Sequence, residues 1–208
     1  MIEPRFSDHE DEPLPAASAA ADRRGGDRYR TVWRIAKVTR DGDAGLWRVR
    51  NMSDGGMMLA VEVPVRVGER LEIALSETIV IHGRVAWCDD GRCGVAFDSA
   101  IDGADVLKRL AAEQRAGDYR APRLPVHTRA QLITDDGSSD IELADLSQSG
   151  AGFVHDGHFE VGKPLELVLP GGIRRKAIVR WSRAGRGGLW LTEPLDRADL
   201  ESIRRFQG

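Results

Sequence analysis

The chain has 208 residues, enough for one medium domain or for two small domains of about a hundred residues each. With 33 acidic and 30 basic residues its net charge is −3, which argues against bulk binding to nucleic acid or to a membrane surface, because both usually need a broad basic field. No apolar run approaches the roughly twenty residues needed to cross a bilayer, and the acidic, alanine-rich N-terminus lacks the form of a signal peptide, so we expect a cytoplasmic protein that does not insert into a membrane.

The N-terminal part of the chain divides into an acidic tail and a basic arm. Residues 1–22 combine acidic side chains with proline and alanine, a composition that cannot bury a core and therefore predicts a disordered tail. The charge then changes sign at Arg23, Arg24 and Arg28. Two adjacent glycines between the last two arginines keep the backbone mobile, which favours a flexible arm over a helix.

The rest of the first half follows the alternating pattern of short strands. Tight turns separate these strands and no long helix lies between them, so we predict an antiparallel sheet that closes into a small barrel. One amphipathic helix follows at about residues 104–115. The predicted strands are residues 32–38, 46–52, 57–63, 70–75, 79–88 and 93–97.

The turn after the second strand, residues 51–56, carries the most informative polar pattern. It holds an amide at Asn51 and a hydroxyl at Ser53, and Gly56 lets the backbone come close to a ligand. This set suits a flat hydrogen-bonding object such as a guanine edge. The simpler interpretation is an Asx or Ser turn that caps its own backbone.

The second half of the chain repeats the first at a constant distance. Ser147 lies 94 residues after Ser53, and Trp181 lies 94 residues after Trp87. A shared offset without gaps indicates a duplication, and a final helix at about residues 197–206 echoes the first one. We therefore predict a mainly β fold of two tandem six-stranded antiparallel β-barrels, each followed by a C-terminal helix.

The two predicted domains are joined by a short segment that contains glycine and proline. The first domain comprises residues 23–115 and includes the arginine arm. The linker is residues 116–122, and the second domain is residues 123–208.

Arg24 and Arg28 lie four residues apart, directly before the first strand. Guanidinium groups pair with phosphates and stack on aromatic rings, so two of them fit a ligand with phosphates and purine rings. Together with Asn51, Ser53 and Gly56, this pattern resembles the PilZ family, the bacterial receptors for cyclic di-GMP. The resemblance implies that the arginines hold phosphates and stack on guanine, and that Asn51 and Ser53 hydrogen-bond a guanine.

The similarity to the family extends beyond these motifs. It includes the closing segments 83–87 and 94–97, and it implies a six-stranded barrel with a trailing helix, in agreement with the strand pattern. Gly55 inside the turn is a possible additional ligand-binding residue. So is Arg23, because it resembles the arrangement in members that bind an intercalated ligand dimer.

The second half also resembles a PilZ domain, but its arm is incomplete. Its turn matches fully at Asp145, Ser147 and Gly150, whereas aligning Arg123 with the second motif arginine leaves Tyr119 in place of the first. Loss of one desolvated, charge-assisted partner typically costs about 2–5 kcal/mol. We therefore expect at most a weak second site and a structural or partner-binding role for the second barrel.

Other conspicuous residues are interpreted as packing or surface residues. Trp87 and Trp181 are predicted to be buried, whereas Trp33 and Trp47 alternate with arginines and are predicted to lie on a solvated strand face rather than a nucleic-acid face. The histidines show no spacing with cysteine or carboxylate that would build a metal site.

Cys88 and Cys93 flank an Asp-Gly turn that would place their thiols opposite each other. In a cytosolic chain we interpret them as reduced packing residues. The alternative is a disulfide or a redox pair.

These patterns predict a receptor or effector protein that binds cyclic di-GMP in its first domain, signals by ordering of the arginine arm, acts on a downstream protein partner, and needs no cofactor. A PilZ-like protein-interaction module without nucleotide binding is the alternative, and a single-stranded nucleic-acid binder is disfavoured by the charge. We expect no enzyme activity, because the sequence lacks a nucleophile motif, a phosphate-cradling loop and a placeable carboxylate pair.

Overall fold

The structure, a computed structural model, describes residues 34–117 and 120–207. The predicted tail and the arginines of the predicted arm, Arg23, Arg24 and Arg28, lie outside these described residues, as do Trp33 and Tyr119.

Six antiparallel strands close the first barrel, as the alternating sequence pattern predicts. The strands are β1 (Arg34–Arg40), β2 (Asp43–Ser53), β3 (Gly56–Ala60), β4 (Arg70–Ala74), β5 (Val80–Asp89) and β6 (Arg92–Phe97). They pair around the barrel in the order β1-β2-β3-β6-β5-β4, and β4 returns to β1.

Six further strands form a second closed barrel with the same topology. They are β7 (Leu124–Thr134), β8 (Gly137–Ser147), β9 (Gly150–Val154), β10 (Pro164–Val168), β11 (Arg174–Arg183) and β12 (Arg186–Leu191). Each strand from β8 to β12 begins 94 residues after its counterpart in the first barrel, which confirms the predicted duplication.

Helix α1 (Gly103–Ala116) follows the first barrel and agrees with the predicted helix. The Asp102 carboxylate accepts a hydrogen bond from the backbone N–H of Asp105 at 2.8 Å, which caps the first turn. Gly117 ends the helix in the left-handed conformation with φ of 76°. Val106 and Leu110 are buried against the core of the first barrel.

Each barrel encloses its own apolar core. Leu59 and Ile73 are fully buried in the first barrel, and Leu143 and Phe153 occupy equivalent depths in the second. Inward side chains alternate with outward ones along the strands, as in a sheet with one buried face. No helix within the described ranges combines the length and apolar character that crossing a membrane requires.

The outer face of β2 is covered by the C-terminal segment of the chain, residues 197–206. Ala44 and Leu46 of β2 pack into the core of the second barrel. The Trp47 indole is fully buried, and its Nε1–H donates to the carbonyl oxygen of Glu201 at 2.9 Å. The prediction of a solvated face at Trp47 is therefore wrong, because its side chain lies on the same inward side of β2 as Val49, in the core of the first barrel.

A buried carboxylate at Glu201 binds the first barrel directly. One of its oxygens accepts hydrogen bonds from the backbone N–H groups of Glu62 at 2.5 Å and Val63 at 3.2 Å. Burial raises the pKa of Glu201, and these two hydrogen bonds oppose the rise. Beside it, the Ser202 hydroxyl donates to the Asp43 carboxylate at 2.8 Å.

The C-terminal segment is not the continuous helix that the sequence predicts. It forms α2 (Arg197–Leu200) and then a short 3₁₀ helix, Ile203–Phe206. Ser202 interrupts the two with an extended backbone, φ −154°. This break follows from the contacts of Glu201 and Ser202 with the first barrel, which outweigh the helical pattern of the segment.

Candidate ligand-binding surface

The turn of the first barrel joins β2 to β3, as predicted, and its own hydrogen bonds brace it. The Ser53 hydroxyl donates to the carbonyl oxygen of Gly56 at 3.2 Å, which is the self-capping arrangement of the simpler interpretation. The Asp54 carboxylate accepts from the backbone N–H of Gly103 at 3.0 Å, and the carbonyl of Gly55 accepts from Phe97 at 2.9 Å. The turn is thus held to both β6 and the start of α1.

The two glycines of the turn have different environments. A Cβ at Gly56 would collide with the carbonyl oxygen of Val95, so glycine is needed here for the close approach of β3 to β6. A Cβ at Gly55 would meet nothing within 4 Å, so its backbone faces open space. Gly56 therefore has a structural role whatever else it does.

A β-bulge turns Asn51 outward. The register of β2 against β3 shifts between Val49 and Asn51, which leaves Arg50 as the extra residue. Val49 and Met52 point into the core, whereas Asn51 and Ser53 lie on the partly exposed outer face. Among the residues that the structure describes, no hydrogen bond engages the Asn51 amide, which leaves its donor and acceptor groups available.

A second bulge turns Trp87 outward. The register of β5 against β6 shifts between Val85 and Trp87, and 42% of Trp87 is exposed. Trp181 of the second barrel follows an equivalent shift in β11 and is 49% exposed. The prediction that both tryptophans are buried is wrong, because strict alternation from Val85 would place Trp87 inside and the extra residue reverses its side.

The two bulges bring Asn51 and Trp87 into one row across the outer face of the barrel. Asn51 is the register partner of Met58, Met58 of Gly94, and Gly94 of Trp87. A Cβ at Gly94 would collide with the Trp87 indole, so the ring lies over this glycine. The row therefore presents an amide at one end and an aromatic ring at the other. Trp87 was not predicted at this surface, because a bulge has no clear signal in an alternating pattern.

The second barrel brings all of its predicted site residues together. Arg123 Nη1 lies 2.5 Å from the Asp145 carboxylate, and the Ser147 hydroxyl donates to the carbonyl oxygen of Gly150 at 3.2 Å. A Cβ at Gly150 would lie 3.8 Å from Arg123 Nη2. Asp145 also lies over Gly152, where a Cβ would meet its carboxylate oxygen at 2.5 Å. Arg123, the one arm arginine that the structure describes at a predicted site, thus contacts its own turn.

The two cysteines are register partners across the β5–β6 hairpin, as predicted, and both thiols are free. Cys93 is buried, and burial raises the pKa of its thiol to about 12, so it is not a nucleophile near neutral pH. Cys88 is exposed and is not a packing residue.

Within residues 34–117 and 120–207, no group of three or more histidine, cysteine or carboxylate side chains is arranged to hold a metal ion.

Comparison with solved structures finds matches at low sequence identity. The Borreliella burgdorferi PlzA protein in complex with c-di-GMP has 10% sequence identity and a TM-score of 0.39, over 89% of this chain and 95% of that chain. The Bacillus subtilis inhibitor of motility MotI/DgrA has 13% identity and a TM-score of 0.33, over 80% and 91% of the two chains. YcgR from Escherichia coli in complex with c-di-GMP has 11% identity and a TM-score of 0.31, over 83% and 80%.

Sequence comparison gives the family. None of the curated proteins compared with the chain matches it. The family model of the PilZ domain matches the chain twice, over residues 22–113 and residues 118–207. Each match contains one closed six-stranded barrel, and the two together span most of the sequence. The chain therefore belongs to the PilZ domain family, with two copies of the domain in tandem.

Proposed function

We propose that this protein is a receptor for cyclic di-GMP and that the first barrel holds the ligand. The observation that carries the proposal is the row on the outer face of this barrel, where paired bulges expose Asn51 and Trp87 together. An amide matches the donor and acceptor groups of a guanine edge, and an indole offers a stacking surface for a base. Membership of the PilZ family supports the same ligand.

The phosphates of the ligand are assigned to the arginine arm, Arg24 and Arg28, with Arg23 as a possible addition. The start of β1 supports this assignment. Arg34 is the register partner of Val49, and Val49 lies at the bulge that exposes Asn51. The chain thus enters the first barrel beside the proposed guanine site, where arginines that precede β1 can reach a bound dinucleotide.

Signalling is proposed to occur by ordering of the arm. When the arm binds the phosphates it changes position relative to the barrel, and a downstream protein partner recognises the new surface. The proposed binding groups that the structure describes, Asn51 and Trp87, are an amide and an indole, neither of which acts as a nucleophile or a base. A binding function therefore fits the site better than catalysis.

The arm assignment is tested by calorimetric titration of the full chain with cyclic di-GMP. Arg24→Ala and Arg28→Ala should each weaken binding by about 2–5 kcal/mol, or at least about thirtyfold, because each removes a charge-assisted partner of a phosphate. Arg66→Ala and Arg70→Ala are matched controls, since these exposed arginines have the same spacing and lie outside the proposed site. Equal affinity of the wild type and the arm variants would contradict the proposal.

The guanine assignment needs its own variant. Asn51→Ala removes the amide and should weaken cyclic di-GMP binding without lowering thermal stability, because no internal hydrogen bond of the described residues is lost. Absence of any binding by the unmutated chain would instead favour a PilZ module that acts by protein contacts alone.

A further inference from the structure

Two arginines face each other in the hairpin between β11 and β12. Arg183 and Arg186 are register partners, and both side chains are exposed. At the equivalent positions of the first barrel, 94 residues earlier, Asp89 and Arg92 form an ion pair at 3.2 Å. Like charges directly opposite each other destabilise a pair of strands, so the second hairpin lacks the charge compensation that its copy contains.

Arg180 extends this cationic surface along β11. It is exposed at the bulge next to Trp181, where the first barrel has Ala86. In the part of the chain that the structure describes, no hydrogen bond or ion pair engages the guanidinium groups of Arg180, Arg183 and Arg186. We call these three residues the arginine edge.

Neighbouring carboxylates do not neutralise the arginine edge. Asp145 is already paired with Arg123. Glu142 lies two strands away from Arg186, and Asp156 follows β9 without an ion pair to any described residue. Three guanidinium groups against these last two carboxylates leave a net positive charge, which suits an anionic partner.

The chain itself contains a segment of the opposite charge, outside the described residues. Residues 1–22 hold six carboxylates and one arginine, a charge of −5, whereas the whole chain carries −3, so the remaining residues carry +2. Four of the six carboxylates lie close together, at Asp8, Glu10, Asp11 and Glu12. This run matches a group of arginines, because guanidinium groups form charge-assisted hydrogen bonds with carboxylates.

The acidic run is long enough away from β1 to reach the arginine edge. Ile35, at the start of β1, packs against the core of the second barrel, so the chain enters the first barrel beside the second. The 21 residues between Glu12 and Arg34 can span up to about 70 Å. The 10 residues of β11 cover only about 33 Å. Because the run and the edge belong to one chain, their effective concentration is on the order of millimolar, and a weak contact suffices.

We propose that residues 8–12 bind the arginine edge of the second barrel within the same molecule. The carboxylates pair with Arg183 and Arg186 and relieve the repulsion between them. The bound run also covers the edge, so that an acidic segment of another protein binds there only by displacing it. The N-terminal tail is thus an autoinhibitory segment, and its contact is independent of cyclic di-GMP and lies outside the proposed ligand site.

Paramagnetic relaxation in the full chain tests this contact. A nitroxide is attached to Ser7→Cys in a Cys88→Ser background, where the buried Cys93 thiol, with its pKa raised to about 12, does not react. At low salt the label should broaden the backbone amide signals of residues 183–187 and leave those of residues 89–93, in the equivalent hairpin, sharp. Sharp signals at residues 183–187, or equal broadening of both hairpins, overturn the inference.

Charge variants test whether the arginines hold the tail. Arg183→Asp recreates the ion pair of the first barrel and should reduce the broadening at least about threefold, as should about 0.5 M salt, which screens the contact. Arg66→Asp removes an exposed arginine of the first barrel and should leave the broadening unchanged. If both variants reduce it equally, the charge of the whole chain and not the arginine edge attracts the tail, and the inference is overturned.

Reversal of both partners gives a direct check. Arg183→Glu with Arg186→Glu should abolish the broadening, and adding Asp8→Lys, Glu10→Lys and Glu12→Lys should restore it. Failure of this restoration, in a chain whose other amide signals are native, overturns the pairing. Broadening that appears only between a nitroxide-labelled chain and a separate ¹⁵N-labelled chain assigns the contact to two copies and overturns it within one molecule.

Covering of the edge is tested with a fluorescent polyglutamate peptide. Replacing the four carboxylates of residues 8–12 by their amides should tighten binding of this peptide at least about threefold, because the competing tail is removed. Arg183→Asp should reverse the gain. Unchanged affinity in the amide variant overturns the autoinhibitory role.

Discussion

At the scale of single residues, the position of Trp87 depends on the absence of a side chain at Gly94. The indole lies where a Cβ of residue 94 would be, so glycine is the residue that lets the ring lie against the sheet. The same relation holds between Trp181 and Gly188 in the second barrel. Each of the two rings therefore lies over a glycine of the neighbouring strand and keeps part of its surface exposed to solvent, where a base can stack.

Gly94→Ala should displace the Trp87 indole. The colliding atoms belong to an exposed side chain that can move, so we expect stability to change little, the tryptophan fluorescence to shift to the red, and the affinity for cyclic di-GMP to fall at least about fivefold through loss of stacking. Gly157→Ala is the control, because a Cβ there meets only Phe159 at an ordinary 3.9 Å. Unchanged affinity in Gly94→Ala would show that the ring is not a binding surface.

Glu201 is expected to make stability depend on pH. Burial raises its pKa above the ordinary 4.5, so the folded protein holds this proton more tightly than the unfolded chain does. Its contribution to folding is therefore most favourable below the ordinary pKa and is lost as the pH rises through the raised value.

Urea unfolding of the wild type and Glu201→Gln between about pH 4 and pH 8 tests this dependence. The glutamine variant cannot titrate at this position, so the stability of the wild type should fall relative to the variant as the pH rises. A constant difference across the range would show that Glu201 keeps an ordinary pKa in the folded protein.

At the scale of elements, the sequence predicted the strands, the turn and the helix, which follow from the periodicity of apolar residues. It did not predict on which side of a strand two of the tryptophans lie. The strands, the turn at residues 51–56 and α1 follow from alternation, turn residues and a helical apolar face. Trp87 was placed on the wrong side because a single bulged residue reverses the alternation after Val85. Trp47 was placed in solvent because it alternates with arginines, although it lies on the inward face of β2 with Val49, in the core of the first barrel.

The candidate site, like the fold, was predictable only in part. The motif residues of the second barrel lie close together as expected. Asp145, Ser147 and Gly150 belong to one turn between two strands, and Arg123 contacts this turn through Asp145. Trp87 was not predicted as part of the site, because the bulge that exposes it has no clear signal in an alternating pattern. The roles of the arm arginines Arg24 and Arg28 stay predictions, since both residues precede the described part of the chain.

The C-terminal segment contributes to the core although it lies near the end of the chain. Phe206 is fully buried in the second barrel, and its carbonyl oxygen accepts from the Thr128 hydroxyl at 2.9 Å. Phe206→Ala should therefore lower the free energy of unfolding by about 3–5 kcal/mol, as at a central core position. Val161→Ala, at a side chain that is 60% exposed, should change it by less than about 0.5 kcal/mol. Chemical denaturation of both variants decides whether the segment is a structural element or an appendage.

At the scale of the whole molecule, the contacts at the junction predict that the two barrels unfold as one cooperative unit. Apolar residues of β2 belong to the core of the second barrel, and the Trp47 indole and the Glu201 carboxylate hydrogen-bond across the junction. A buried polar contact that both barrels need penalises any state in which one barrel is folded and the other is not.

Trp47→Phe should weaken this coupling. It removes the Nε1–H and leaves the buried carbonyl oxygen of Glu201 without this donor, at a cost of about 1–3 kcal/mol. In calorimetry, the wild type should unfold in one transition with equal van't Hoff and calorimetric enthalpies, and the variant should show a lower ratio of the two. Trp181→Phe, at an exposed indole, is the matched control. A wild type that already unfolds in two steps would contradict the coupling.

The bulges have a consequence for the history of the protein. The extra residue in β2 and the one in β5 recur in β8 and β11 at the same 94-residue distance, between Leu143 and Asp145 and between Val179 and Trp181. Two independent insertions at matching places in each copy are a poor explanation, so both bulges were present in the single ancestral barrel before it duplicated. Because each bulge reverses the side on which the following residue lies, the ancestral barrel already directed the residues at these two positions outward. The second barrel thus inherited the same two outward positions, which Asp145 and Trp181 now occupy.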